Sequence, residues 1–393
     1  MIVFNARGRF HYKYSFGAIR CIHYLTHTQW FCPLTLLLLA FTMVFLLPHE
    51  ILSFFRSFGG SIAPSNVKNA VTFYEDLHSV NGGTELQRKE NYTNMVNTYY
   101  DVATAFYEYG WCQSFHFSSR LYNETFQESI KRHEHYVALH LGLKPGMKVL
   151  DLGCGIGGPM REIASFSGAT VIGINNNESQ IKRGIALNRQ YGVPESCEFI
   201  KGDFMKIPVP DNSFDAAYNM ESCCHAPDLV ALYKEVYRVL KPGQCVAGYD
   251  WCMTKEYDPN DQYHNKVKDE IEFGNTLPTI RTTTEYIQAI KAAGFRVLMV
   301  EDFADKLNVH IPWYESLNPK RLSLDGFRRT WLARLIGRQL LKVLEFSGIA
   351  PKGSIEVNKF LERAGDGLYE GGRLKIFTPI FFYLAQKPHN ENV

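Results

Sequence analysis

The sequence predicts an α/β protein: a doubly wound, mostly parallel sheet with helices on both faces, preceded by a helical segment and followed by an α+β cap. Three observations carry this. From Lys148 onward, short apolar strands alternate with amphipathic helices, the pattern of a parallel sheet that binds its ligand at the carboxyl ends of its strands. The first strand runs into a turn containing Gly153, Gly155 and Gly158. The chain has 393 residues, 46% hydrophobic and 21% charged, enough to bury a sizeable core in two to three structural units.

The chain opens on a basic segment, 1–29, whose charged residues are Arg7, Arg9, Lys13 and Arg20, with no Asp or Glu before Glu50. Residues 30–47, WFCPLTLLLLAFTMVFLL, carry no charge and are near the lower length limit for a bilayer span. We expect a single N-terminal hydrophobic helix here, forming a membrane anchor over 30–57. The expected location is the endoplasmic reticulum membrane, with the downstream domain facing the cytosol. The positive-inside rule alone would send that domain to the lumen; a hairpin insertion, or binding without crossing, removes the conflict. A signal peptide fits less well, since its basic region would be too long, and mitochondrial or plastid targeting is a lesser alternative. The sequons at Asn91, Asn123 and Asn177 are expected to stay unmodified. FGGSIAPSN (58–66) is small and polar, so 58–83 reads as a linker.

Charge and cysteine content exclude several classes. Of 42 Lys and Arg, four precede residue 50, leaving 38 cations against 40 anions in the remainder. Nothing there suggests a phosphate-binding face, so no nucleic-acid partner is expected. The nine Cys are odd in number, scattered and without a C-x-x-C pair, which points to a reducing compartment. RHEHYVALH resembles a zinc helix, but the second ligand position holds Val137. No metal is expected.

Residues 84–147 read as a helical lid. Tyr92, Met95, Tyr99, Ala103 and Phe106 recur at helical spacing. A second helix starts at Thr125, where TFQE has the capping-box form, and carries Phe126, Ile130, His133 and Val137 on one face. YEYGWCQSFHF (107–117) lies between them. The nucleotide-binding core spans 148–254. The cap, 255–388, holds helices at HNKVKDEIEFG, TTTEYIQAIKAAGF and 325–346, and strands at RVLMVEDF and LKIFTPIFFYLAQKP. Residues 389–393 are a tail. The cap roofs an apolar pocket or docks on a membrane lipid surface, and a homo-oligomer stays open.

The glycines alone leave a dinucleotide site open. Three details oppose it. Asp151 precedes the turn, and a carboxylate suits a cationic amino-acid moiety better than a pyrophosphate. The second strand ends in Asn175 where a dinucleotide site wants an acid. Asp203 follows the third strand and Phe214-Asp215 opens the fourth, a series typical of S-adenosylmethionine methyltransferases. Arg161 reads as a surface residue.

Over residues 92–388 the chain resembles the sterol 24-C-methyltransferases. YEYGWCQSFHF, RHEHYVALHLGLKPG, LDLGCGIGGP, VIGINNN, KGDFMKIP, ESCCHAP and YDWCMTKEYDPND carry the resemblance, with IPWY, LIGRQ, IAPKGS and LKIFTP in the cap. It implies a Rossmann-like class I methyltransferase sheet and S-adenosyl-L-methionine as cofactor. Asp151, Gly153 and Gly155 would hold its methionine portion, Asn175 its ribose, and Asp203 with Phe204 its adenine. The chain departs from the family pattern at Cys112, usually Gly, at Ser222-Cys223, usually Ala-Thr, and at Asp250, usually Glu.

The implied reaction is attack of a sterol side-chain double bond on the donor methyl, leaving a carbocation that must lose one proton. Tyr107, Tyr109, Trp111, Phe115 and Phe117, interleaved with Glu108 and His116, would form a cation-stabilising cage, with Cys112 beside it. Glu221, Glu108, His225 and His116 are the expected catalytic groups, and Asp250 is a weaker candidate. Adjacent Cys223 and Cys224 read as packing residues. Three alternatives stand beside this reading: methylation of another terpenoid alkene such as squalene, an NAD(P)-dependent oxidoreductase of a membrane lipid, and a catalytically inactive lipid-binding protein.

Overall fold

The computed structural model of the protein describes residues 62–78, 82–193, 195–305, 310–319 and 330–389. These fall within one compact unit, His49–Val393. The expected basic segment 1–29 and membrane anchor 30–57 lie outside the described residues. Among the described residues, no helix is long and apolar enough to cross a membrane.

The stretch expected as a linker, 58–83, instead carries a helix, α1 (Val67–Asp76). Its Val67, Val71 and Tyr74 fall on one face and are buried. The polar residues just before it hid this short amphipathic turn pattern. The helix expected from Thr84 is two helices, α2 (Glu85–Glu90) and α3 (Tyr92–Trp111), broken at Asn91. A capping box between Thr84 and Gln87 starts the first. Met95, Tyr99 and Ala103 of α3 pack with α1 and with Phe360, so tertiary burial stabilises a sequence that is polar on its other side.

A two-residue strand, β1 (Arg120–Leu121), precedes α4 (Phe126–His140). Thr125 accepts from the Glu128 N–H while Glu128 accepts from the Thr125 N–H, the expected capping box. The alternation then runs β2 (Lys148–Leu152), α5 (Gly158–Ser167), β3 (Thr170–Asn175), α6 (Glu178–Tyr191), β4 (Cys197–Lys201), β5 (Phe214–Met220), α7 (Leu229–Val239) and β6 (Leu240–Met253). The cap contributes α8 (Gln262–Gly274), α9 (Thr283–Ala292), β7 (Arg296–Asp302), β8 (His310–Ile311), α10 (Trp331–Phe346), α11 (Ser354–Arg373) and β9 (Phe377–Gln386).

Seven of these strands form one sheet in the order β4-β3-β2-β5-β6-β9-β7. Its first five strands are parallel, while β9 runs antiparallel to both β6 and β7. Both expected cap strands therefore join the sheet. Buried apolar side chains cover both faces, Val149, Val171 and Tyr249 on one, and Leu150, Ile172 and Val246 on the other. The chain moves outward from β2 through β4 and then returns to the other side of β2 at β5. That reversal opens a crevice at the carboxyl ends of β2 and β5.

Candidate active site

The crevice begins where β2 ends. Asp151 is buried on the strand, 2% exposed, and accepts the Tyr218 hydroxyl at 2.8 Å. Burial pushes its carboxyl up to about 7, against the stabilising Tyr218 bond. Gly153 and Gly155 then take φ of 72° and 55°. A Cβ on Gly153 would lie 2.6 Å from the Ser222 Cβ, so the turn needs glycine there both for its conformation and for its neighbour.

Asp151, Gly153, Gly155, Asn175, Ser222 and Phe204 share a cavity with about 820 Å³ of open space, counted to its mouth. Asn175 Nδ2 donates to Gln180 Oε1 at 2.9 Å and to the Gly155 carbonyl at 3.4 Å. Asp203 sits at the rim. Its carboxylate accepts from the Tyr92 hydroxyl and from the Met205 N–H, while its neighbours Gly202 and Phe204 line the space. Helix α3 lies along one side, contributing Tyr92, Val96 and Tyr100 at four-residue spacing. That spacing was visible in the sequence, but nothing there said which ligand the face would meet.

A second cavity, with about 750 Å³ of open space, adjoins the first. Tyr107, Trp111, Phe115, Phe117 and Trp251 give it aromatic walls, and Leu361, Ala364 and Leu368 of α11 close it from the cap. Tyr107 stacks on Trp111 with ring centroids 5.3 Å apart, and Phe117 meets Trp111 and Trp251 at 5.8 and 6.0 Å. Phe115, His116 and Glu221 line both cavities.

Glu221 directly succeeds β5, is 8% exposed and has φ of 58°. A non-glycine residue held there costs on the order of 1 kcal/mol or more, so its surroundings fix it. Its N–H donates to the Tyr249 carbonyl at 2.8 Å. Its Oε1 accepts the Phe117 N–H at 2.5 Å, and its Oε2 the Trp251 indole N–H at 2.7 Å. Burial pushes this carboxyl up to about 8, with His116, Trp251 and Phe117 pulling the other way.

Both expected histidines have their ring nitrogens engaged. His225 Nδ1 faces the Thr276 carbonyl at 3.2 Å and must donate to it; Nε2 then accepts from the Tyr100 hydroxyl at 3.0 Å. Burial pulls this ring down to about 4, so it is a neutral bridge. His116 faces acceptors on both nitrogens, the Phe117 carbonyl at 2.9 Å and Glu134 Oε1 at 3.3 Å. Burial opposes charge on it, but the Glu134 carboxylate raises it above its ordinary value. Glu134, itself buried, had no sequence signal beyond its place in RHEHY.

Other expected residues fall elsewhere. Glu108 lines neither cavity; it pairs with Arg183 of α6. Tyr107 and Trp111, one helical turn apart, face inward, and Glu108 is about 100° round the helix from Tyr107. Cys112 is exposed and accepts from Gln127 Nε2 at 3.3 Å, in an outer groove and away from the aromatic cavity. The Tyr109 side chain lies outside the described part of the structure. Asp250 is buried behind the site, accepting from Asn219, Tyr286 and the Trp251 N–H. Arg161, expected at the surface, is buried. The sequence assigns Trp251 no role; strand alternation on β6 brings its indole to Glu221.

Known proteins resemble this chain over most of its length. Two family models match, a methyltransferase domain over residues 150–247 and a sterol methyltransferase C-terminal region over 324–389. Among curated relatives, cycloartenol-C-24-methyltransferase 1 of Oryza sativa subsp. japonica is 57% identical over 85% of this chain and 96% of its own length. The cycloartenol-C-24-methyltransferase of Arabidopsis thaliana is 56% identical over 84% of this chain and 98% of its own. A Saccharomyces cerevisiae sterol 24-C-methyltransferase is 44% identical over 78% and 82%. Of solved structures, mycolic acid cyclopropane synthase CmaA1 shares the fold with TM-score 0.57 at 16% identity, over 74% of this chain and 97% of its own. The fold is therefore that of the class I methyltransferases, and the chain belongs to the sterol 24-C-methyltransferase family.

Proposed function

We propose that this protein is an S-adenosylmethionine-dependent enzyme that methylates carbon 24 of a sterol side-chain double bond. The observation that carries the reading is Glu221, a buried carboxyl in the shared wall of the glycine-turn crevice and an aromatic cavity. The residues of the crevice fit the cofactor. Asp151 would hold its ammonium, Asn175 and Gln180 its ribose, and Phe204 its adenine, while Gly155, whose Cβ position meets only the Phe115 ring at 3.9 Å, leaves room for close approach. S-adenosylmethionine, when bound, supplies an electrophilic methyl group on a positively charged sulfur.

Once the methyl has been added, this chain's own residues manage the cation. The rings of Tyr107, Trp111, Phe115, Phe117 and Trp251 attract the positive carbon left on the sterol, by about 0.5–2 kcal/mol at a desolvated site. Their apolar surface keeps water from capturing that carbon. In its ionised form, the fixed Glu221 carboxylate adds an opposing charge. Its oxygens each retain a lone pair beyond the bonds to Phe117 and Trp251, and Glu221 takes the proton that ends the reaction. His225 and Tyr100 hold the wall beside it.

The names of the relatives favour a sterol over squalene, and Asp151 with Asn175 speaks against a dinucleotide. Incubation with methyl-labelled cofactor, a sterol panel and squalene, followed by mass spectrometry, tests the reading. Label on a sterol side chain supports it; label on squalene alone, or on neither, overturns it. We further place the enzyme on the endoplasmic reticulum membrane, with the catalytic unit facing the cytosol. Asn123 is exposed, whereas Asn177 is 3% exposed and caps α6. Glycan at Asn123 in cells would place the domain in the lumen instead.

A further inference from the structure

We propose that Gln113 and Arg161 form a positioning latch through which an occupied donor crevice tightens the sterol cavity. The proposal rests on the functional reading above. Arg161 Nη1 donates to the Ile156 carbonyl at 2.9 Å and to Asn188 Oδ1 at 3.0 Å, and Nη2 donates to Gln113 Oε1 at 3.0 Å. All three acceptors are neutral. Burying a guanidinium against neutral groups is costly, so what it gives is its planar fork, which fixes several acceptors in one geometry.

Two of those acceptors, Ile156 and Gln113, belong to residues that line the donor crevice, and the third, Asn188, ties the fork to α6. Ile156 lines the donor crevice in the glycine turn. Gln113 opens the loop whose Phe115 lines both cavities and whose Phe117 N–H holds Glu221. Gln113 is fixed a second time, Nε2 donating to the Tyr191 hydroxyl of α6 at 3.1 Å.

The third glycine of the turn serves the same contact. A Cβ on Gly158 would lie 2.0 Å from the Gln113 carbonyl oxygen. Only glycine lets the loop rest on the start of α5. The Cβ position of Gly155, in turn, is 3.9 Å from the Phe115 ring. A turn held in place by a bound donor therefore holds Gln113, and with it the aromatic wall on the sterol side.

The test measures coupling in the full-length protein. Trp111 and Trp251 line the sterol cavity, so their fluorescence reports cycloartenol binding, titrated with and without saturating S-adenosylhomocysteine. We expect the homocysteine to tighten cycloartenol binding about fivefold or more. Gln113→Leu removes the side-chain bonds without touching the backbone, and Arg161→Lys keeps the charge without the fork. Each should bring the ratio near one while S-adenosylhomocysteine still binds. A ratio near one in the wild type overturns the latch. So does a uniform loss of cycloartenol affinity in the variants with the ratio preserved, which is what a merely structural role would give. Wild-type protein that binds the homocysteine but no sterol would instead overturn the functional reading.

Discussion

The Trp251 indole donates to Glu221 Oε2 at 2.7 Å across a sequence separation of 30 residues. The Phe117 N–H holds the other oxygen. One carboxylate thus pins an aromatic from β6 and another from the loop after α3 onto a single wall. Charge and rings are placed together because the same hydrogen bonds place both.

Trp251→Phe keeps a ring but removes the donor. A hydrogen bond to a charged group is worth about 1.5–3 kcal/mol, so turnover near neutral pH should fall about tenfold or more. The Glu221 carboxyl should also rise further. A pH–rate profile checks this, and an unchanged midpoint would remove Trp251 from the role.

Glu221→Gln should lower turnover at least about a hundredfold while calorimetry finds S-adenosylhomocysteine affinity within about twofold. In the wild type the carboxyl is held at about 8 by burial. If the ionised form accepts the proton, turnover climbs as pH rises toward that value. A profile flat between about pH 6 and pH 8 would contradict the assignment.

Asp151 and Glu221 are held at about 7 and about 8, above the ordinary carboxylate range. The folded state then binds protons that the unfolded chain has released, so their contribution to stability is full at acid pH. It is lost as pH rises through 7 to 8. An ammonium beside Asp151 favours the ionised acid. S-adenosylhomocysteine binding at about pH 6.5 should therefore release protons, seen as a dependence of calorimetric heat on buffer ionisation. Asp151→Asn should abolish that release.

Glu108→Gln and Arg183→Gln should behave alike, since each breaks the same surface pair. Such pairs contribute about 0.2–1 kcal/mol, and the double variant should add little to either single change. A large loss of turnover in Glu108→Gln alone would return Glu108 to the chemistry.

Cys112→Gly should leave the sterol product profile unchanged, because the thiol faces the outer groove. Cys112 sits at φ 61°, and relieving that conformation should raise stability by about 1 kcal/mol. Product analysis and thermal unfolding check the two halves. An altered profile would show that the residue acts through the loop it begins.

The sequence was sufficient for whatever one element settles by itself. Alternating apolar strands and helices announced the sheet, Thr125 and Glu128 announced their capping box, and Asp151 with its glycines announced the floor of the crevice. Such features arise from local backbone geometry and spacing. Packing between elements decided the rest. Glu108 turned outward to Arg183, 75 residues away, and Arg161 turned inward to Gln113, 48 residues away. His225 spent both ring nitrogens on distant partners, Tyr100 and Thr276, and His116 spent one of its two on Glu134. A rotation of about 100° between neighbouring residues separates an inward from an outward side chain on α3, and only the contacts of the folded chain select which face is buried.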